Sequence, residues 1–361
     1  MRAACQHGGV RETARSRVLE RLVRLSGAGL DLATFIDEAD ALVGRVIPHE
    51  GACWHTLDPA TMIQTGSWTL NLPSHGAEAA ENEYLSDDFN RFADLARSAR
   101  HSASLTEATG GDPLRSDRFR RLMRPGGIRG ELRTTFVVDG AGWGSAAMFR
   151  AAPDDFTERE SEAAHELAAP VARGIRAALV RDHRGRSGAP PAAPGLLLLD
   201  DRQRVESVTG PALQWLAELG HPAGEPLQQE CLPYALFAVA ARAGQDSDAT
   251  VRVRGASGRW VTAHASVVTG GEGERVAVIL QGATAPALAP LIAAAYGLTR
   301  RERAVSELVL QGQATADIAA SLLISRHTVQ EHLKSIFEKA GVRSRRELVG
   351  KVFMRHYRPF L

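Results

Sequence analysis

Lysine is almost missing from this chain. Among 361 residues and 43 basic side chains there are three, Lys334, Lys339 and Lys351, all near the carboxyl end. That scarcity excludes whole chemistries upstream. A phosphate-cradling P-loop needs a lysine to reach the phosphates, and a kinase site needs one on a strand beside the nucleotide. Cysteine is sparse too. Cys5, Cys53 and Cys231 are widely spaced and form no CxxC pair, which gives neither a disulfide framework nor a zinc site. Cys53 lies in an apolar segment and reads as a small buried hydrophobe. His49-Glu50 and His55-x-x-Asp58 lack a third convergent ligand, so no metal is expected. Gly140-x-Gly142-x-Gly144 leads into a strand and not a helix, which rules out a dinucleotide loop. With no nucleophile–base pair in view either, the chain is expected to have no catalytic residues and no cofactor. No apolar run approaches the roughly 18 residues of a membrane span, and Met1 to Gly9 hold no apolar signal stretch. A cytoplasmic protein without a membrane partner is therefore expected.

What is present is an uneven charge. Hydrophobic residues make up 44% and charged residues 24% of the chain, ordinary for a globular protein, and its length calls for two or three domains. Residues 298–361 carry a net charge of +6, whereas everything before them sums to −5. Positive charge is concentrated where a polyanion would dock. The tail also has local signals for four helices. Thr299 and Glu302 form a capping box, after which Ala304, Val305, Leu308 and Val309 share a face and Gly312 ends the run. Thr315 is placed to cap a short second helix that buries Ile318, Ala319 and Leu322. Leu323-Ile324 makes a turn, and Ser325 caps a third helix with Val329, Leu333, Ile336 and Phe337 inward. Ser344 and Glu347 repeat the capping box, with Leu348, Val349, Val352 and Phe353 inside a fourth helix.

The face of the third helix left over after packing carries His327, Gln330, Glu331, Lys334 and Glu338. Glutamine bonds adenine edges, lysine bonds guanine, and glutamate accepts from cytosine; Gln330, Glu331, Lys334 and His327 are the candidate base readers. Ser325, Arg326 and Thr328, at the helix N-terminus, and Arg343, Ser344 and Arg345 beyond its end are candidate phosphate contacts. The pattern Leu298-Thr-x-Arg-Glu302, then Ile324-Ser-x-x-Thr-Val-x-x-His-Leu333, then Gly341-Val-x-x-Arg-x-Glu-Leu348 resembles the LuxR-type helix-turn-helix of bacterial transcription regulators. The resemblance implies that the second and third helices form the motif, that the third enters the major groove of double-stranded DNA, and that the fourth serves dimerisation. Family members usually carry lysine where Gln330 stands, which implies an altered base preference.

Upstream, 14–47 reads as two helices parted by Gly27 and Gly29, with Val18, Leu22 and Leu25, then Phe35, Ile36, Ala39, Leu42 and Val43 on apolar faces. Strands are expected at Gly51–Leu57 and Met62–Gly66, helices at 84–99 and 114–124, and a hairpin at Glu131–Val138 and Trp143–Phe149 with its turn at 139–142. Phe156-Thr157-x-x-Glu160 opens a long helix. The hairpin with Gly142-Trp143-Gly144 and that helix start resemble a GAF domain, 14–182. In such a domain Trp54, Trp68, Phe136 and Trp143 are the candidate ligand pocket. A Pro/Gly-rich linker follows at 183–194. Strands at Gly195–Asp200, Val205–Val208, Thr250–Arg254, Trp260–Val268 and Arg275–Gln281 come next. Between them lie helices at Pro211–Leu219, with Leu213, Leu216 and Ala217 inward, and at Leu232–Arg242. This order resembles a PAS-like domain, 195–283. Leu196 to Asp201 looks like a strand ending at a phosphoacceptor, but the lysine that a receiver domain uses is missing. A connector, 284–297, leads to the DNA-binding domain at 298–361.

The fold class expected is therefore multidomain α+β, with GAF-like and PAS-like sensor domains ahead of an all-α four-helix LuxR-type domain. The function expected is transcription regulation by a homodimer that binds double-stranded DNA and answers an unidentified small-molecule effector or protein signal. The alternative is a constitutive DNA-binding dimer whose front domains only dimerise or bind a protein partner.

Overall fold

Two left-handed residues set the shape of the first sheet. Asp139 and Gly140 both have positive φ, 52° and 71°, as a two-residue turn matched to strand twist requires. They join strands that the expected four-residue turn would have shortened. The computed structural model describes residues 3–72, 76–151, 155–180, 191, 193–222, 227, 232–269 and 273–352. Its first part runs α1 (Ala3–Gly27), α2 (Leu32–Val43), β1 (Gly51–Leu57), β2 (Gln64–Leu70), α3 (Gly76–Leu85), α4 (Phe92–Arg97), β3 (Ser102–Ser104), α5 (Leu105–Ala108), β4 (Gly130–Val138), β5 (Ala141–Arg150) and α6 (Glu158–Val180). The strands form one antiparallel sheet in the order β2-β1-β5-β4-β3. One face is covered by α1, α2 and α6, whose Leu22, Phe35, Ile36, Leu167, Val171 and Ile175 pack on Trp54, Phe136 and Trp143. Each such apolar side chain contributes roughly 1.5–3 kcal/mol by leaving water.

Sequence periodicity misplaced several boundaries here. The second strand starts later than expected because Met62, at φ 61°, belongs to the preceding turn. The helix expected at 84–99 is split into α3 and α4 by Asn90, also left-handed at φ 56°. At 114–124 there is no long helix but a 3₁₀ turn, Pro113–Arg115, and a short π turn, Phe119–Met123. That irregular segment is held by a buried ion network. Arg118 pairs with Glu131 at 2.6 Å and Arg133 with Glu83 at 2.8 Å, and Asp88 accepts from Asn82, Ser116 and the Arg118 amide.

The second part contains β6 (Gly195–Leu199), β7 (Val205–Val208), α7 (Gly210–Glu218), α8 (Tyr234–Asp246), β8 (Asp248–Arg254), β9 (Trp260–Val268) and β10 (Arg275–Gly282). Its sheet, β7-β6-β10-β9-β8, repeats the strand permutation of the first. On α7 the buried positions are Ala212, Trp215 and Leu216. Leu213 is 45% exposed and Ala217 is exposed, so the expected inward set is corrected by the pull of Trp215 toward the Ala193 carbonyl, 3.0 Å away. The two parts are not separate bodies. Helix α8 packs on β8, β9 and β10 and also on α3 and β2, and Tyr84, Ile63 and Ala80 share its hydrophobic cluster. Tyr234 donates to Gln64 at 2.9 Å, and Arg252 pairs with the fully buried Asp58 at 2.7 Å. The expected linker falls mostly outside the described residues.

Helix α9 (Ala285–Ala295) then leads into α10 (Arg300–Leu310), α11 (Thr315–Leu322), α12 (Arg326–Ala340) and α13 (Arg345–Val352). Leu288, Leu291 and Ile292 of α9 join Val305, Val309, Ile318, Val329, Leu333 and Ile336 in a single core that also takes in Trp260.

Candidate nucleic-acid interface

The start of α10 shows how the tail is locked. The Thr299 hydroxyl accepts from the Glu302 amide, and the Glu302 carboxylate accepts from the Thr299 amide at 2.7 Å. The same carboxylate, 4% exposed, accepts from Ser335 at 2.6 Å and Lys339 at 2.7 Å on α12. Burial opposes ionisation of Glu302, but the bonds from Lys339, Ser335 and Thr299 prevail and hold its pKa at about 2. Lys339 is thereby committed to the fold and not to a ligand.

The second tail helix is capped differently from the expectation. Ala314 occupies the N-cap and no side chain accepts there; Thr315 is already the first helical residue, so its hydroxyl is past the position from which it could cap. Helix α11 ends at Leu323, left-handed at φ 53° and 93% exposed. Ser325 then caps α12 by accepting from the Thr328 amide at 3.0 Å. Val329, Leu333, Ile336 and Ala340 are buried on α12. On its opposite side His327, Gln330, Glu331, Lys334 and Glu338 are all exposed. Ser325, Arg326, Arg343 and Ser344 are exposed as well, and Thr328 is half-buried. Lys334 and Arg343 border one shallow groove with Gln330, Phe337 and Glu338.

Arg345 is placed otherwise than a free phosphate contact would be. Its guanidinium donates to the Val309 carbonyl in the last turn of α10 and to the Gln313 carbonyl just beyond it, where a cation meets the negative helix end. In the last capping box the Ser344 hydroxyl accepts from the Glu347 amide, but Glu347 accepts from the Arg343 amide instead of that of Ser344. Leu348 is buried, whereas Val349 is 36% exposed, because α13 presents only one narrow edge to the core. Phe353 and the side chain of Val352 lie outside the described residues.

The family of bacterial regulatory proteins designated luxR matches residues 297–352. The spore germination protein GerE of Bacillus subtilis is 44% identical over 52 residues, which span 70% of GerE and 14% of this chain. The chain belongs to the luxR family of bacterial regulatory proteins. An HTH-type transcriptional regulator from the exeN 3′ region of Aeromonas salmonicida is 49% identical over 59 residues, and the transcriptional regulatory protein UhpA of Escherichia coli 45% over 56. The matched stretches cover 30% and 29% of those two proteins and 16% of this chain. The luxR-family chain is accordingly a DNA-binding transcription regulator. Among solved structures, the VqmA dimer of Vibrio cholerae is 16% identical and covers 46% of this chain and 85% of its own, with a TM-score of 0.21. That likeness is too slight to bear on the front units.

Ahead of its DNA-binding tail, this luxR-family chain has a cavity of about 310 Å³ on the face of the first sheet opposite α1, α2 and α6. Cys53, His55, Ser67 and Thr69 form its strand wall, and Phe92, Met123, Ile128 and Tyr234 face them. None of the four aromatics expected in a pocket lines it. Trp54 and Trp68 are cross-strand partners, so both face the helices; Trp54 donates to Asp40 at 2.8 Å and stacks on Phe136 at 5.1 Å. Trp143 falls at a register shift between Gly142 and Gly144 and is fully buried in the same helix-side core. Beside Trp54 and Phe136 there is a void of about 10 Å³, which is roughly the room for one water. Cys53, expected as a buried hydrophobe, is half-buried at the cavity wall. The signal for these residues was in the sequence: period-2 alternation sets Cys53 and His55 on the face opposite Trp54.

Proposed function

We propose that this regulator couples a ligand-responsive front half to base reading by α12. In this reading residues 14–182 act as a GAF-like sensor, 195–283 as a PAS-like unit, 284–297 as the connector and 298–361 as the DNA head, used as a cytoplasmic homodimer. Helix α12 enters the major groove with Gln330, Glu331, Lys334 and His327 toward base edges. Ser325, Arg326 and Thr328 meet phosphates at its N-terminus, where amides and dipole favour anions, and Arg343 and Ser344 meet them beyond its end. The observation that carries this is the division of α12 itself: one face sealed in the core, the other wholly polar and exposed. The strand order shared by the two sheets supports the sensor assignment. So does the route between cavity and head. Strand β5 supplies Ala147 and Phe149 to the cavity wall, and a side chain built at Gly297 would meet the Asp139 carboxylate of its hairpin at 2.8 Å.

Selection of preferred duplexes from a random pool tests the reading. The wild type selects a defined half-site, and Lys334→Ala weakens binding and relaxes one base position, worth about 1–3 kcal/mol of discrimination. An identical selected sequence at unchanged affinity would refute base reading by this face. The second reading, a constitutive dimer, draws on Leu196 and Ile279, 42% exposed on the outer face of the second sheet. It predicts DNA affinity that no small molecule alters.

A further inference from the structure

The cavity beside β1 holds more chemistry than simple binding requires. Cys53 and His55 stand two residues apart on one strand, so both face the cavity they line. Cys53 Sγ lies 3.4 Å from Ser67 Oγ and 3.7 Å from Thr69 Oγ1. His55 is 5% exposed, and its buried Nδ1 makes no hydrogen bond. Its ring sits 5.8 Å from Phe92 and 5.2 Å from Tyr234. A polar atom left this way is costly to keep unless something answers it. The volume, about 310 Å³, suits one ring with short substituents and is at the small end of ligand pockets.

We infer that Cys53 is the capture site for a small, largely apolar α,β-unsaturated carbonyl compound, taken up as a thioether with His55 handling the proton. This rests on the sensor reading above and gives its ligand a chemical class. Sγ bonds to the β-carbon, the C=C pair moves through the α-carbon onto the carbonyl oxygen, and the thiol proton, relayed by His55, ends on the α-carbon. Thiol and enone thus combine with no atom left over and no oxidant needed.

The electrostatics agree with the geometry. Burial raises the thiol, but His55 and the Ser67 and Thr69 hydroxyls outweigh it and bring Cys53 down to about 7. The charged or titratable groups around the cavity are Glu50, His55, Arg118, Arg133, Arg150 and Tyr234. A thiol so placed is substantially thiolate at neutral pH, the form that attacks.

The test uses the full-length protein and 2-cyclohexen-1-one, read by intact mass and peptide mapping. One adduct should form at Cys53 ahead of the other two cysteines, with a rate that climbs through about pH 7. Cys53→Ala should lose the fast adduct, and His55→Gln should slow it roughly tenfold or more. Labelling of Cys53 no faster than in denaturant, or a rate rising only near the ordinary thiol value of 9.0, would overturn the inference without any variant being needed. Saturated cyclohexanone separates the two levels. If it raised the melting temperature of wild type and Cys53→Ala alike while the enone formed no adduct, the sensor reading would stand and covalent capture would fall.

Discussion

Glu302 ties the start of α10 to α12 through one carboxylate, accepting from Thr299 at the α10 start and from Ser335 and Lys339 on α12. Its folded pKa of about 2 lies below the ordinary 4.5. The stability it contributes, about 3 kcal/mol from that difference, is therefore present in full above pH 4.5 and is lost as pH falls toward 2. Denaturation of wild type and Glu302→Gln should differ by an amount that shrinks across this window. Parallel curves would show that the carboxylate does not brace the head. The same residue explains why a count of positive charge in the tail overstates what faces DNA. Lys339 and Arg345 are spent on the fold, and among the described residues Arg326, Lys334 and Arg343 make no ion pair with the protein.

At the scale of elements, the buried pairs Arg118–Glu131 and Arg133–Glu83 hold the irregular 84–124 segment over the cavity. Glu131 is fully buried, and its carboxyl stays below the usual range because, against burial, Arg118 and Arg133 favour its charge. Glu131→Leu takes from the buried Arg118 its nearest carboxylate and leaves Arg133 with Glu83 alone, and should cost about 3–5 kcal/mol in urea denaturation. A loss below about 1 kcal/mol would mean the segment is held by packing alone. This region also shows where the sequence ran out. The tail was legible because capping boxes and helical spacing are local signals, and Thr299–Glu302 and Ser325–Thr328 close within three residues. The 84–124 segment is fixed by bonds between residues far apart in the chain, such as Glu83 to Arg133, which no window of neighbours reports. The aromatics misled for another reason. The resemblance to a GAF domain suggested a pocket, while the pairing of Trp54 with Trp68 turned both into the packed core under the helices.

For the whole molecule, the contacts that matter join units which composition would separate. Asp58–Arg252 ties the first part to β8 and Tyr234–Gln64 ties it to α8, and α9 carries Leu288 and Ile292 into the core of the DNA head while Ala294 packs on the first sheet's core. Asp58→Ala leaves Arg252 without its carboxylate at the junction, and calorimetry should resolve two front transitions for the variant against one for the wild type. A single unshifted peak would show the junction to be incidental. A chain joined in this way can pass strain from the cavity to α10, which the ligand-responsive reading requires. Its central claim is still the exposed face of α12, and the most direct measurement is the salt dependence of duplex binding by the full-length protein. The account predicts that the logarithm of the binding constant falls linearly with the logarithm of salt concentration, and that Arg343→Ala weakens binding to all sequences and flattens the slope by about 1. A binding constant indifferent to salt, or a slope unchanged in Arg343→Ala, would contradict it.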